Sequence, residues 1–200
     1  MSKQGNTLYA LTNQISQFSP QHLDVFASLT NEQFEIAFDS LLGKALAGME
    51  KNKDHFQDLG ETALSGVLML AMSMPGLSVT QEEHSNGHAD LTFEFYRFGV
   101  ARSILGEAKI YDGPQYHIDG LNQLLGYMTG REFSGLMVAY VKKANVAVLM
   151  QKVRDTMDEM KPDAQRGTTQ PHVLKWAFNS THLHPCGELV AINHVACNLF

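Results

Sequence analysis

Asp90 is followed by Glu107-Ala108-Lys109 and then by Gln123 and Tyr127, which stand four apart. Two carboxylates and a lysine at such intervals suit metal-dependent cleavage of a phosphodiester. Hard divalent cations such as Mg²⁺ take oxygen ligands, polarise a phosphoryl oxygen and activate a water. Asp90 and Glu107 would supply two of those oxygens and the backbone carbonyl of Ala108 a third. Lys109 would orient the attacking water or offset charge at the scissile phosphate. Each piece alone also suits a solvated sheet face on which Glu107 pairs with Lys109 or Asp90. Together they crowd two acids onto one stripe, which is electrostatically poor without a cation.

The elements that must hold these residues are legible in the apolar periodicity. His88, Asp90, Thr92, Glu94 and Tyr96 alternate with Ala89, Leu91, Phe93 and Phe95, the period-two pattern of a half-buried strand. Gly99 marks a turn. Leu105, Glu107, Lys109 and Tyr111 then alternate with Ile104, Gly106, Ala108 and Ile110 in an antiparallel neighbour, so that Asp90, Glu107 and Lys109 fall on one polar face. Residues 118–129 predict a helix with Ile118, Leu121, Leu124, Leu125 and Met128 inward, on which Gln123 and Tyr127 share a second face. Upstream, Ser19-Pro20 predicts a helix start leading into 22–29, and Thr30 or Asn31 a cap for a second helix through Leu42. A third runs from Asp58 to Met74, with Glu61 in its first turn, and ends at Pro75-Gly76. Downstream, 136–141 predicts a strand, 145–160 a helix, and 173–179 and 189–197 two strands joined through Pro185-Cys186-Gly187.

The run Gly87-His-Ala-Asp90, then Gly106-Glu-Ala-Lys109-Ile-Tyr, then Gln123-Leu-Leu-Gly-Tyr127 resembles the PD-(D/E)XK nuclease superfamily, in the branch bearing a QxxxY helix after the core triad. The likeness covers roughly Asp58 to Val141. It implies an α/β fold with a restriction-endonuclease-like core, a mixed central β-sheet flanked by helices; the helical pattern ahead of it reads as an N-terminal helical extension, 1–57 before a nuclease domain at 58–200, in a single compact unit overall. The resemblance also implies Asp90 and Glu107 as Mg²⁺ ligands (Mn²⁺ substituting), Lys109 as the catalytic lysine, Glu61 as the acid of the preceding helix, and Gln123 and Tyr127 as auxiliaries that contact substrate or tune the site. Glu82 and Glu83 lie nearer in sequence than Glu61 and compete for its part. Ala89 stands where the pattern usually has proline. Resemblance further suggests DNA as the substrate, endonucleolytic cleavage, and a setting in restriction or antiviral defence.

Composition bounds the alternatives. In 200 residues, 44% are apolar, enough for one compact unit with a full core. Net charge is −6, from 15 Lys+Arg against 21 Asp+Glu, which argues against coating a polyanion through bulk charge. Nucleic acid is therefore expected as the substrate of a local site, with a homodimer mate or partner subunit supplying further affinity. Residues 1–18 lack a basic segment followed by an apolar run, so no secretory leader is expected. The most apolar window, 66–77, is too short to span a bilayer. Cys186 and Cys197 make no disulfide framework, and a cytoplasmic location without membrane association is the expectation.

Two rivals remain. One is a non-catalytic subunit using the same sheet to bind nucleic acid or protein. The other is a zinc protein built on His182, His184, Cys186, His194 and Cys197, disfavoured because a C-x-x-C knuckle is missing. Arg131, Lys142, Lys143, Lys152 and Arg154 could form a basic rim for a phosphate backbone.

Overall fold

A computed structural model of the chain describes residues 4–74, 77–84, 88–97 and 100–200. The chain divides into two compact units, Met1–Ala45 and Leu46–Phe200. In the first lie helices α1 (Gln4–Phe18), α2 (Pro20–Ala27) and most of α3 (Asn31–Lys51). Pro20 occupies the first turn of α2, where its missing N–H would be unpaired in any case. Thr30 caps α3 in a reciprocal box: its Oγ1 accepts from the Gln33 N–H at 3.1 Å, and Gln33 Oε1 accepts from the Thr30 N–H at 3.3 Å.

The second unit is α/β. Its elements are α4 (Glu61–Met72), β1 (Leu77–His84), β2 (His88–Arg97), β3 (Val100–Ile110), α5 (Pro114–Tyr127), β4 (Ser134–Val141), α6 (Val146–Met160), β5 (Gln170–Pro171), β6 (Phe178–Leu183) and β7 (Leu189–Asn198). The strands form one mixed seven-stranded sheet in the order β1-β2-β3-β4-β7-β6-β5. β1, β2 and β3 are an antiparallel meander, β3–β4 and β4–β7 are parallel, and β6 returns antiparallel to β7. The parallel centre is buried on both faces, and β4 accordingly reads SGLMVAYV with every residue buried.

Helices cover both faces of this sheet. On one, Ser65 of α4 lies 3.5 Å from the Tyr140 hydroxyl of β4, and Gln81 Nε2 of β1 donates to the Thr62 carbonyl of α4 at 2.6 Å. On the other, α5 packs over β3 and β4, its buried Leu121 and Leu124 joining Met137, Ala139, Ile192 and α6's Met150 and Val153 in one apolar cluster. Gly113, at φ 111°, starts α5; only glycine takes that conformation without strain, and it turns the chain back over the sheet directly after β3.

Several elements depart from the sequence reading. α1 and β1 were not anticipated. The first of the two C-terminal strands lies at Phe178–Leu183, not 173–179, because residues before it turn, with Trp176 at φ 58°. The helix expected at 118–129 begins four residues earlier, at Pro114. The turn assigned to Gly99, Gly87 of the Gly-His-Ala-Asp run and the Pro75-Gly76 helix stop lie outside the described residues.

Candidate functional site: a fork between two strands

The meander opens where the acids stand. β2 pairs with β1 down to His84↔His88, but its ladder with β3 stops at Leu91↔Gly106. Beyond that point β3 would present unpaired amides on its β2 side, a costly exposure in a half-buried edge. Two carboxylates take them. Asp90 Oδ2 accepts from the Ala108 N–H at 2.8 Å, and Glu61 Oε1 accepts from the Ile110 N–H at 2.9 Å. A residue's N–H and C=O leave a strand toward the same neighbour, so the Ala108 carbonyl also points into this fork.

Glu61 gets there because α4 begins at it. The preceding loop is pinned by Lys142, whose ammonium donates to the Gln57 carbonyl at 2.7 Å and the Leu59 carbonyl at 2.6 Å. From the other face Tyr116, in the first turn of α5, donates its hydroxyl to the same Glu61 oxygen at 3.2 Å. The helix glutamine and tyrosine follow along that side of α5. Tyr116, Gly120, Gln123 and Tyr127 are spaced four, three and four apart and share one stripe. Tyr116 meets Glu61 and Gly120 meets the stem of Lys109. Gln123 is exposed, Tyr127 half-buried against the apolar cluster.

Glu107 and Lys109 point from β3 into the layer beneath α5. Glu107 is 2% exposed. Its Oε1 lies 2.6 Å from the Lys109 ammonium, while Oε2 is buried without a hydrogen-bond partner among the described residues. Burial pushes the Glu107 carboxyl up to about 7; the Lys109 hydrogen bond and charge oppose this, and Asp90 and Glu61 reinforce it. Burial works to lower the Lys109 ammonium, but the hydrogen bond and charge of Glu107, with Asp90 and Glu61 behind it, outweigh that and raise it. Three acids surround one lysine, and the most buried of them stays protonated until the pH reaches about 7.

A side chain at Gly120 would put its Cβ 3.1 and 3.3 Å from Lys109 Cγ and Cε, and 3.0 Å from Met137 Cε. Gly120→Ala gains helix propensity, so the fold is expected to stay within about 1 kcal/mol of wild type. Lys109 must shift, however, and the Glu107 pKa should climb above about 7 as the lysine bond that lowers it is stretched. A carbon-13 carboxyl titration reads this; an unmoved Glu107 would show that the lysine stem has room to spare.

Among the described residues no three or more His, Cys, Asp or Glu side chains stand together as a preassembled metal-binding group. The fork offers instead two side-chain acids, a third from α4 and a carbonyl. The orphaned Glu107 Oε2 is the atom that a cation would satisfy, and this all-oxygen set suits a hard cation. The side chains of Glu82 and Glu83 lie outside the described residues.

The zinc alternative is not assembled. His182 and His194 are hydrogen-bonded to Ser180 instead, His184 Nε2 contacts the Met128 carbonyl at 3.0 Å, and of the cysteines Cys186 is exposed and Cys197 buried. Much of the expected basic rim is committed too: besides Lys142, Lys143 pairs with Asp112 at 2.8 Å and Arg154 with Thr169 at 2.8 Å. A cavity of about 780 Å³ lined by Met74, Leu77, Val79, Glu94, Phe95 and Ala101 lies at the opposite end of the β2–β3 ladder, away from the acids and the lysine. The chain matches no protein-family model, and no curated protein or solved structure matches it. No described helix is long and apolar enough to cross a membrane.

Proposed function

We propose that the chain is a Mg²⁺-dependent nuclease of the PD-(D/E)XK kind, with a restriction-endonuclease-like core, hydrolysing phosphodiester bonds of nucleic acid, DNA by preference. The observation that carries this reading is the buried Glu107 with one oxygen on Lys109 and the other unpaired among the described residues, beside Asp90 and Glu61 at the open edge of β3. A buried carboxylate left half-satisfied destabilises the fold, and such a cost is ordinarily kept where function needs it. Asp90, Glu107 and the Ala108 carbonyl would hold the cation, with Glu61 as a further or outer ligand. When bound, the cation would supply Lewis-acid polarisation of a phosphoryl oxygen and a water of lowered pKa. Lys109 would orient the attacking water and offset charge on the phosphate, and Gln123 and Tyr127, on the stripe that continues from Gly120, would steady the strand. With a net charge of −6 the chain has little general attraction for a polyanion, so a homodimer or partner subunit would add affinity and, in a dimer, a second site for the second strand.

Labelled single- and double-stranded DNA and RNA, incubated with Mg²⁺, Mn²⁺ or EDTA while light scattering reads the assembly state, test the proposal. Cleavage with either cation and none in EDTA is expected. Undiminished cleavage in EDTA would remove the metal-dependent reading. Tight binding with no cleavage under any condition would favour a non-catalytic nucleic-acid-binding subunit.

A further inference from the structure

Behind α5, four buried polar side chains are linked in series. His117 Nε2 of α5 lies 2.9 Å from His194 Nδ1 of β7. His194 Nε2 lies 2.8 Å from Ser180 Oγ of β6, which lies 2.7 Å from His182 Nε2. His182 Nδ1 ends the series 3.1 Å from the backbone carbonyl of Asp163. All four residues are at most 3% exposed. His194 shares its sheet row with Met137 and Glu107, two strands away on the same face, and stacks on Phe178 with ring centres 4.4 Å apart.

The carbonyl at the end decides the direction of every bond. A carbonyl only accepts, so His182 Nδ1 carries hydrogen and donates. A neutral imidazole then has Nε2 free to accept, so Ser180 donates to it. Ser180 Oγ must accept from His194 Nε2–H, leaving His194 Nδ1 to accept from His117 Nε2–H. The reverse order would set a lone pair of His182 against a carbonyl oxygen. His117 Nδ1 is left as the bare end, and it is buried with no partner among the described residues. Neutrality is consistent with the surroundings. Burial lowers His117 to about 4 and lowers His194 and His182, with neighbouring imidazoles adding to the shift at His194. Besides these imidazoles, the titratable groups near the series are the Asp163 carboxylate, which accepts from Asn122 of α5 at 2.6 Å, and Glu107 along the row. The buried face of α6 is apolar (Val146, Met150, Val153, Met157).

We propose that His117, His194, Ser180 and His182 form a one-way chain of neutral hydrogen bonds that registers α5 against β7 and β6, making His117 a positioning residue for the fork. Tyr116, its neighbour in sequence, holds Glu61, and Gly120, one turn on, faces Lys109. What the fork does rests on the nuclease reading; the hydrogen-bond chain does not.

Two measurements test it. Long-range proton–nitrogen NMR of the imidazoles should find Nε2–H on His117 and His194 and Nδ1–H on His182, unchanged from pH 8 to pH 6. An imidazolium, or Nδ1–H on His117, in that range would overturn the chain. Mn²⁺ titration of wild type, His117→Leu and His117→Gln should then show about tenfold weaker binding in the leucine variant, the usual scale for lost outer-shell support, and recovery in the glutamine variant, whose amide can donate to His194. Equal affinities in leucine and glutamine variants would overturn the positioning role. A wild type that binds no Mn²⁺ would overturn both that role and the metal reading of the fork, while the tautomers would still decide the hydrogen-bond chain.

Discussion

Glu107→Gln is expected to abolish cleavage and at the same time to stabilise the protein. The wild-type carboxyl ionises near pH 7 in the folded chain against about 4.5 in the unfolded one. Between those values the folded state holds the extra proton, so the contribution of Glu107 to stability is complete below pH 4.5 and is lost as pH rises through 7. Gln mimics the protonated form at every pH. At pH 8 the variant should exceed wild type by about 3 kcal/mol, from the size of the shift. For a unit of this size that corresponds to roughly 6–12 °C in Tm. At pH 4, below the unfolded value, the two should melt nearly together. Thermal melts at both pH values check this, and equal melting at pH 8 would mean that the ionised carboxylate is better satisfied than its orphaned oxygen implies. His117 works in the opposite sense: its lowered pKa gives stability above pH 6.5 that is lost as pH falls toward 4, so the variant should retain an acid limit.

Lys109→Met removes the ammonium that bonds Glu107 and faces the charges of Asp90 and Glu61. Its hydrogen bond and charge hold the Glu107 pKa down, so without it that carboxyl ionises above pH 7 and cation binding shifts to more alkaline pH. Cleavage at pH 7.5 should fall by about 10²–10³-fold, the usual scale for losing a preorganised electrostatic group. Raising the pH should recover metal affinity more than rate, because carboxylate charge returns and the ammonium does not. A variant that cleaves within tenfold of wild type would assign Lys109 a purely structural part.

The residues in the fork were legible where chemistry coincided with local pattern. The alternation through β2 and β3 put Asp90, Glu107 and Lys109 together, since period two leaves little freedom once one face is buried. The first turn of α4 was readable from Glu61 and the apolar spacing behind it. What could not be read was the termination of the β2–β3 ladder at Leu91, hence the use of Asp90 and Glu61 to satisfy β3 amides: both depend on where strands diverge in space. Leu77–His84 follows Pro-Gly and carries Gln81-Glu82-Glu83, so it has the composition of a loop and becomes a strand only by pairing with β2. α1 runs 15 residues with Leu8, Leu11, Ile15 and Phe18 at helical spacing, but the Asn, Gln, Ser and Thr between them have the composition of a loop and mask that pattern. β6 was displaced for another reason. Its inward residues, Phe178, Ser180 and His182, alternate correctly, but two are polar, and nothing near them in sequence announces the partners that satisfy them.

The position of β7 has a consequence for biosynthesis. Every other strand precedes it in the chain, yet it lies between β4 and β6, near the middle of the sheet. Until residues 189–198 emerge, β4 carries a bare, largely apolar edge and β6 a bare edge of mostly polar residues, and unpaired edges pair promiscuously with another chain. A nascent chain must therefore hold a split sheet open and close it late, across a long sequence separation, which is intrinsically slow. High-level expression should be limited less by the stability of the finished protein than by aggregation before that last strand inserts.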